Sequence, residues 1–347
     1  MNEGFVLKLI SQLERLTSAV TRKPVDKVPV VSFTQTGTLE LMDASGAFWP
    51  DAHREARAMA TLALAAHRLG GLEAVRIPFG LVAEAERLGC KINYHEGKSD
   101  YTPTVEAGPP SYERLTIPDL RSGVTGEIIS ALRICRSRVG FNTPIIVGVT
   151  APFTIAGHVR GINEILLDLI LNPDLVRNIL DQTWEVTVAF SNELLRSGAD
   201  FIALIEPTAS IIGADFFKEF ALPYLKKAID AIEGPSVLHI CGNSLPMMEL
   251  IVDAGAQGVS IDQTVSVAAA SDAVKGRCSI IGNVDPVGVL QLRNEDSVIA
   301  DCSRILDEGT DVLAPGCGIS PYTPTRNLNA MVRARDSKVS RSSARRS

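Results

Sequence analysis

The sequence predicts an α/β fold, a (β/α)8 TIM barrel of parallel strands that follows an extra N-terminal helix. Short apolar, β-branched segments alternate with longer segments whose apolar residues recur every three or four positions, the pattern of parallel strands with helical crossovers. Eight such strands are predicted, and the 347 residues suit one barrel. An open doubly wound sheet would give the same local pattern, but the strand count favours the barrel.

The elements follow one another along the chain in a regular order. Residues 1–16 form an amphipathic helical pattern, without the basic region and uninterrupted apolar run of a signal peptide. The predicted strands are 28–33, 74–78, 144–149, 200–205, 236–240, 258–262, 279–282 and 311–314. The clearest helices of the outer ring are 53–69, 173–197 and 216–233.

Two segments lie outside this alternation. Residues 91–127 are rich in Pro, Gly and Tyr, which indicates irregular structure and makes this segment a candidate lid. Residues 335–347 are basic, Ser-rich and almost free of apolar side chains, so they are predicted to be a disordered tail. Residues 1–334 are predicted to form a single domain.

The composition disfavours nucleic-acid and membrane partners. A formal net charge of -6 gives no overall attraction to phosphate backbones or anionic lipid. No segment approaches the roughly 20 uninterrupted apolar residues of a membrane span. Six cysteines are spread thinly over the chain, unlike a secreted disulfide framework, so a reducing cytoplasm is the expected location.

The segment VLHICGN, residues 237–243, carries the clearest chemical signal. His239 and Cys241 are two apart on the fifth predicted strand and so project from the same face, at the end where barrel enzymes gather catalytic groups. Cys317 follows the eighth predicted strand. A His and two Cys leave one tetrahedral position of a zinc ion open, as in catalytic sites. Because the fifth and eighth strands are not neighbours, Cys317 must reach across the mouth through its loop.

The charge of this ligand set indicates which reaction it serves. Two thiolates and a neutral imidazole offset the double positive charge of zinc, which disfavours water activation and favours a soft thiol as fourth ligand. Thiol alkylation is the reaction that fits. The alternative is that His239 and Cys241 are buried core residues, and the presence of Cys317 argues against it.

Other polar residues follow predicted strands. Glu206 precedes a proline after the fourth strand and is a candidate for the open zinc position or for orienting a ligand. Asp262, Asn283 and Asp285 are expected to line the mouth and bind the cofactor, with turn formation as the alternative.

Two residues on early strands are candidates for binding a small molecule. Arg76 interrupts an apolar strand, where a cation is costly to bury unless it is paired, so it either holds an anionic substrate group or forms a structural ion pair. Gln35 follows the first strand and is expected in the same pocket. The remaining histidines and cysteines lack ligand spacing and are predicted to be packing residues: His53, His67, His95, His158, Cys90, Cys135, Cys278 and Cys302.

Several short motifs occur along the chain: TQTG at 34–37 with LMD at 41–43, LHICGN at 238–243, IGNVDP at 281–286, and GCGI at 316–319 with TP at 323–324. Together they resemble the methylcobamide:coenzyme M methyltransferases, a family of the uroporphyrinogen decarboxylase superfamily. The resemblance runs from about residue 8 to about residue 334.

The resemblance implies a zinc ion on His239, Cys241 and Cys317. It also implies that zinc binds the thiol of coenzyme M, whose thiolate takes a methyl group from methylcobalamin, a methylated corrinoid carried on a separate corrinoid protein, in methanogenesis from methylated compounds. The barrel mouth would then also be a protein interface. Arg76 is our candidate for the sulfonate of coenzyme M.

Three alternatives remain at this stage. Uroporphyrinogen decarboxylase itself shares the barrel but uses an arginine-rich segment after the first strand; residues 31–37, VSFTQTG, contain no Arg, which counts against decarboxylation. A methyltransferase with a different acceptor is the second alternative, although a folate-type relative would be expected to lack the zinc residues. A non-catalytic scaffold for the corrinoid protein is the third.

Overall fold

A parallel sheet surrounded by helices forms the centre of the computed structural model, which describes residues 10–112 and 114–344. Within these residues the sheet has six strands in the order β1-β4-β5-β6-β7-β8, and β2 and β3 pair separately as an antiparallel hairpin. The strands are β1 (Val75–Ile77), β2 (Lys91–Asn93), β3 (Thr104–Ala107), β4 (Ile145–Thr150), β5 (Phe201–Ile205), β6 (Ser236–Ile240), β7 (Gly258–Ile261) and β8 (Ser279–Ile281). Every residue of the six-stranded sheet is buried, as expected when helices cover it.

Helices connect these strands and pack around them. They are α1 (Gln12–Val20), α2 (Leu39–Ser45), α3 (Asp51–Arg54), α4 (Ala56–Arg68), α5 (Ala83–Arg87), α6 (Gly123–Val139), α7 (Pro152–Arg160), α8 (Ile162–Leu171), α9 (Pro173–Arg196), α10 (Gly213–Phe216), α11 (Leu222–Ala231), α12 (Met248–Asp253), α13 (Val267–Val274), α14 (Glu295–Asp307) and α15 (Thr325–Ala344). Short 3-10 turns at Thr208–Ile211 and Leu245–Met247 and a π-helical turn at Phe217–Ala221 complete them. No helix in the described ranges is long and apolar enough to cross a membrane.

The first and eighth predicted strands join the two edges of the sheet. Val30 and Leu313 form a parallel bridge, and Val312 forms another with Ile281 of β8. On the other side, the amide of Glu73 donates a 2.8 Å hydrogen bond to the carbonyl of Val30, just before β1. The order of all eight predicted segments is therefore that of a barrel, with two of them reduced to isolated bridges.

Two prolines explain in part why these segments form single bridges and not strands. Pro29 and Pro315 lie within or beside the two bridged segments and have no amide hydrogen to donate to a ladder. The carbonyl of Pro29 still accepts a 3.0 Å hydrogen bond from the amide of Leu313. The two segments therefore pair at single positions instead of along a strand.

The predicted outer helices are confirmed, and so is the extra N-terminal helix. α4 and α9 match two predicted segments, and the third is divided into the π-helical turn and α11, which has a proline in its first turn. α1 begins with a capping box, in which the Ser11 hydroxyl accepts from the Glu14 amide and the Glu14 carboxylate accepts from the Ser11 amide. The segment before residue 10, which includes the start of the predicted helix, lies outside the described residues.

The predicted disordered tail is wrong as far as residue 344, because α15 runs continuously to Ala344. A buried ion network holds the helix where the predicted tail begins. Arg335 donates a 3.0 Å hydrogen bond to Glu73, and Arg15 reaches the same carboxylate at 3.3 Å. A basic residue that composition assigns to a tail thus fixes the last helix to the barrel. Residues 345–347 lie outside the described part.

The segment 91–127 is more regular than predicted. It contains the β2–β3 hairpin and the first turn of α6. The hairpin stands beside the C-terminal ends of the barrel strands, and residues 102–108 form a wall of the cavity described below.

Candidate metal centre and acceptor cavity

His239, Cys241 and Cys317 converge at the C-terminal end of β6. The imidazole Nδ1 of His239 lies 3.1 Å from the hydroxyl and 3.2 Å from the carbonyl of Ser260 on neighbouring β7. Its Nε2 is 3.3 Å from Sγ of Cys241, and that sulfur is 3.6 Å from Sγ of Cys317. The predicted reach of Cys317 across the mouth is therefore present in the structure.

The loop that carries Cys317 is held by contacts at both of its ends. The Thr34 hydroxyl donates a 2.8 Å hydrogen bond to the carbonyl of Cys317, and the Gly316 amide donates to the carbonyl of Val284 at 2.8 Å. A Cβ on Gly316 would lie 2.5 Å from the backbone nitrogen of Gln263, so only glycine allows this approach. The loop thus fixes the third sulfur near the first two ligands.

The three side chains fit a tetrahedral zinc ion. Their ligand atoms all lie within 4.8 Å of one another. Zinc bonds of about 2.3 Å to sulfur and about 2.0 Å to nitrogen place two sulfurs about 3.8 Å apart and a sulfur about 3.5 Å from a nitrogen. The Sγ–Sγ distance of 3.6 Å and the Nε2–Sγ distance of 3.3 Å are close to these values. Because Ser260 occupies Nδ1 of His239, Nε2 is left to face the sulfurs.

The two thiols influence each other's protonation. The hydrogen bond between them raises the pKa of Cys241 and lowers the pKa of Cys317, and the nearby His239 lowers the latter further. Of the two sulfurs, Cys317 is therefore the one that more readily forms a thiolate. Two soft, partly buried sulfurs with one thiolate already favoured form a donor set suited to zinc.

The three residues line a cavity of about 590 Å³. This volume is in the range of sites that enclose a cofactor or a drug-sized molecule. The cavity is lined by residues after β1, by the three candidate ligands, by the β2–β3 hairpin and by the junction of α7 with α8. Its lining includes Thr34, Gln35, Arg76, Phe79, Leu81, Thr102, Val105, Gly108, His158, Ile162, Glu164, Ile205, Pro207 and Gly318.

Arg76 lines this cavity as a buried cation without a carboxylate partner in the part of the chain that the structure describes. Only 3% of the residue is exposed. Its Nε lies 3.4 Å from the Phe33 carbonyl, and its Nη1 has no partner. Burial lowers the pKa of the guanidinium to about 9. A Cβ on Gly148 would lie 2.1 Å from Nη2, so the guanidinium crosses directly over this glycine.

Gln35 lines the cavity while its side chain supports the surrounding loops. Its Oε1 accepts a 2.7 Å hydrogen bond from the Gly37 amide, and its Nε2 donates to the carbonyl of Ile319. The side chain therefore connects the loop after the first predicted strand to the loop that carries Cys317.

Glu206 is fully buried and lies outside the group of three potential ligands. Its carboxylate accepts a 2.9 Å hydrogen bond from the Phe153 amide and another from the Thr154 hydroxyl, in the first turn of α7. Burial raises its pKa to about 7, although these hydrogen bonds act in the opposite direction. In this geometry Glu206 anchors the N-terminus of α7, a helix whose later residues line the cavity.

Asp262, Asn283 and Asp285 do not line the cavity. Asp262 accepts two hydrogen bonds of 2.9 Å from the amide and hydroxyl of Thr264, and the Asn283 side chain donates to the Asp262 carbonyl at 2.9 Å. Asp285 accepts from the Gly288 amide at 2.8 Å. All three side chains make hydrogen bonds within turns near the mouth. They therefore form turns, the alternative given in the sequence analysis, and do not line the cavity as expected.

His158 was predicted to be a packing residue, but it lines the cavity. Its Nδ1 is buried and has no hydrogen-bond partner among the residues that the structure describes, and burial lowers its pKa to about 4. No short motif marks it, because it reaches the cavity only through the placement of α7. The four cysteines outside the site are buried, as predicted.

Known proteins resemble this chain over nearly its whole length. The family described as uroporphyrinogen decarboxylase (URO-D) matches residues 11–337. Methylcobamide:CoM methyltransferase MtbA of Methanosarcina acetivorans is 40% identical over 326 residues, 92% of this chain and 96% of that protein. Methylcobamide:CoM methyltransferase MtaA of Methanosarcina barkeri is 38% identical over 329 residues, 93% of this chain and 96% of that protein.

A uroporphyrinogen decarboxylase of Geobacter metallireducens is only 25% identical, over 333 residues, 92% of this chain and 96% of that protein. Among solved structures, a methyltransferase from Methanosarcina mazei superposes with a TM-score of 0.92 at 37% identity, covering 95% of this chain and 99% of that one. The chain therefore belongs to the uroporphyrinogen decarboxylase family and, within it, to the methylcobamide:CoM methyltransferases.

Proposed function

We propose that this enzyme transfers a methyl group from a methylated corrinoid, carried on a partner corrinoid protein, to the thiol of coenzyme M, and that it does so with zinc on His239, Cys241 and Cys317. The observation that carries the proposal is the convergence of these ligand atoms within 4.8 Å of one another at a cavity that also holds the cation of Arg76. The names of relatives at 38–40% identity support the donor and acceptor. The reaction would serve methanogenesis from methylated compounds.

Zinc, when bound, would supply the positive charge that keeps an incoming thiol deprotonated near neutral pH. The chain's own residues prepare the site for it. Ser260 orients the imidazole of His239, and Thr34 and Gly316 hold the loop of Cys317. Since these contacts exist in the protein alone, the ligand side chains need little rearrangement to bind the metal.

Arg76 provides the chemistry that would recognise the other end of coenzyme M. A sulfonate presents three oxygens to a planar guanidinium, and such charge-assisted pairs can be bidentate. Without a ligand, the buried cation lacks a partner that would offset its loss of hydration. Binding a sulfonate would supply this partner inside the cavity that the thiol must enter.

The methyl transfer requires the corrinoid to come close to the cavity mouth. The thiolate sulfur gives an electron pair to the methyl carbon, the carbon–sulfur bond forms, and the carbon–cobalt bond breaks with both of its electrons remaining on cobalt. A productive approach brings sulfur and carbon to about 3–3.5 Å. The corrinoid face must therefore cover the mouth, and the residues around it would contact the donor protein.

The first experiment measures bound zinc and then follows the demethylation of free methylcobalamin by absorbance, with and without 2-mercaptoethanesulfonate. One zinc per chain with demethylation that requires the thiol is the expected result. Zinc without demethylation would indicate a different thiol or methyl donor. Absence of both would refute the proposal and make decarboxylation of uroporphyrinogen the next reaction to assay.

Single substitutions test the ligands. Cys241→Ser and Cys317→Ser should each remove most of the bound zinc and activity, because a serine hydroxyl is a poor zinc ligand, while circular dichroism stays unchanged. Cys278→Ser, a buried cysteine outside the site, is the matched control and should keep its zinc. Full zinc and activity in both ligand variants would disprove the assignment. Glu206→Gln in the same assay tests whether Glu206 contributes to zinc binding, one of the two roles that the sequence left open; unchanged zinc affinity would restrict Glu206 to anchoring α7.

A further inference from the structure

Helix α8 exposes an unusual amount of apolar surface. Its sequence is INEILLDLIL, and the exposed fractions are 44% for Ile162, 61% for Leu167, 71% for Ile170 and 70% for Leu171. At 100° per residue these side chains, together with the half-buried Leu166, cover about half of the helix circumference, an arc in which the exposed Asn163 is the one polar residue. We call the five apolar residues the α8 strip. The opposite face of α8 is buried against the protein. The helix therefore already packs on the core, and the strip is a separate apolar surface.

The charged residues of α8 do not cover the strip. Asp168 is buried, and its carboxylate pairs with Arg160 at 2.7 Å and accepts from the Asn172 side chain at 2.8 Å. Glu164 lies at the first turn and faces the cavity. A contiguous patch of large apolar side chains on a protein surface is typical of an interaction site.

The position of the α8 strip indicates which kind of protein binds to it. Ile162 belongs to the strip and also lines the cavity that contains Arg76 and the metal ligands. The strip therefore begins at the rim and continues outward along α8, so a protein that covers the mouth would contact it. A second copy of the chain bound there would lie beside the route by which the methyl group must arrive.

We propose that the α8 strip is the docking surface for the corrinoid protein that delivers the methyl group. The proposal rests on the proposed function and adds the surface that recognises the donor. Its apolar side chains would form the desolvated centre of the contact, and the polar residues at the rim would surround it. The donor should carry a complementary apolar patch next to the exposed face of its corrinoid.

The test compares two methyl donors with variants of the strip. Leu167→Glu and Ile170→Glu place a charge in the centre of the strip without altering the cavity lining. Phe141→Glu is the matched control, since Phe141 is 78% exposed and precedes β4, at the opposite end of the barrel from the mouth. Initial rates are measured with free methylcobalamin and with a methylcobalamin-loaded corrinoid protein that the wild-type enzyme turns over.

Both strip variants should raise the KM for the protein-bound donor by about tenfold or more, as expected for central contact residues. Their rates with free methylcobalamin should equal that of the wild type, and Phe141→Glu should change neither. Circular dichroism and melting temperature verify the fold, and the milder Leu171→Gln provides a second variant if a charge destabilises the helix.

An unchanged KM for the protein-bound donor in all strip variants would overturn the docking surface and leave the proposed function intact. If the variants instead lower the molecular mass measured by light scattering while this KM is unchanged, the strip joins two copies of the chain and the proposal is wrong. Failure of the wild type to demethylate free methylcobalamin would count against the proposed function itself. These outcomes are therefore distinguishable.

Discussion

Replacement of Arg76 by methionine should make the protein more stable and a poorer binder of its acceptor. Burial lowers the pKa of the guanidinium from its ordinary value to about 9. At about 1.4 kcal/mol per pH unit, the buried cation costs up to about 5 kcal/mol of folding free energy. The side chain is only 3% exposed, so solvent screening removes little of this cost. Apolar replacements of buried charges commonly stabilise by about 1–4 kcal/mol, and we expect Arg76→Met to fall in this range.

The sign of the pH dependence follows from the lowered pKa. The folded state binds fewer protons than the unfolded chain from about pH 9 up to the ordinary pKa of arginine, so stability rises with pH in that interval. Below about pH 9 the guanidinium is protonated in both states, and the full cost is present. The stability gain of Arg76→Met should therefore be constant between pH 7 and 8, where activity is measured.

The loss in binding comes from the sulfonate. A hydrogen bond to a charged group contributes about 1.5–3 kcal/mol, so the KM for 2-mercaptoethanesulfonate should rise about 10- to 150-fold in Arg76→Met. The uncharged thiol 2-mercaptoethanol has no sulfonate and should react equally with both proteins. Gly148→Ala offers a second route, because its Cβ would lie 2.1 Å from Nη2 and displace the guanidinium without removing the charge.

Urea unfolding and steady-state kinetics with the two thiols provide the measurements. A less stable Arg76→Met with an unchanged KM for the sulfonate would refute the reasoning, because it would make Arg76 a structural residue. A parallel rise of KM for both thiols would also refute it, since only the sulfonate should depend on the cation.

Two further predictions concern stability. The His53 ring packs against Trp49 at 4.6 Å between ring centroids, and burial lowers its pKa to about 3, although a contact with the Tyr101 backbone acts in the opposite direction. The unfolded chain therefore binds the additional proton below pH 6.5, and stability falls on acidification. Urea unfolding measures the free energy of unfolding at pH 7 and at pH 5. Between these pH values it should decrease by about 2 kcal/mol less in His53→Phe than in the wild type. An equal decrease in both proteins would contradict the burial of a neutral His53. Glu73→Gln should cost about 3–5 kcal/mol, because Arg335 and Arg15 lose a buried counterion. The exposed Glu295→Gln should cost less than about 1 kcal/mol, and equal losses in the two variants would argue against the buried network.

The sequence predicted the parts of the site that depend on local spacing. His239 and Cys241 share a face because alternate residues of a strand point the same way, and six of the eight predicted strands are present as strands. The position of Cys317 followed from the geometry of a barrel, in which the ends of all strands surround one mouth. These inferences need only periodicity and strand order.

What the sequence did not reveal depends on contacts between distant segments. Asp262 and Asp285 follow strands just as ligands do, and only the turn amides around them show where their oxygens are used. His158 reaches the cavity because Glu206 anchors the start of its helix. The helical tail depends on a partner of Arg335 that lies 262 residues earlier. None of these pairings leaves a periodic pattern in the chain.

The bridge between Val30 and Leu313 also sets the order in which the protein can be completed during synthesis. The segment that closes the ring leaves the ribosome after β6, and Cys317, 76 residues after Cys241, leaves with it. A nascent chain that has released β6 offers only His239 and Cys241 to a metal ion. The third sulfur is added when the segment around Leu313 pairs with Val30, so under the proposed function the zinc site would be completed in the same step that closes the barrel.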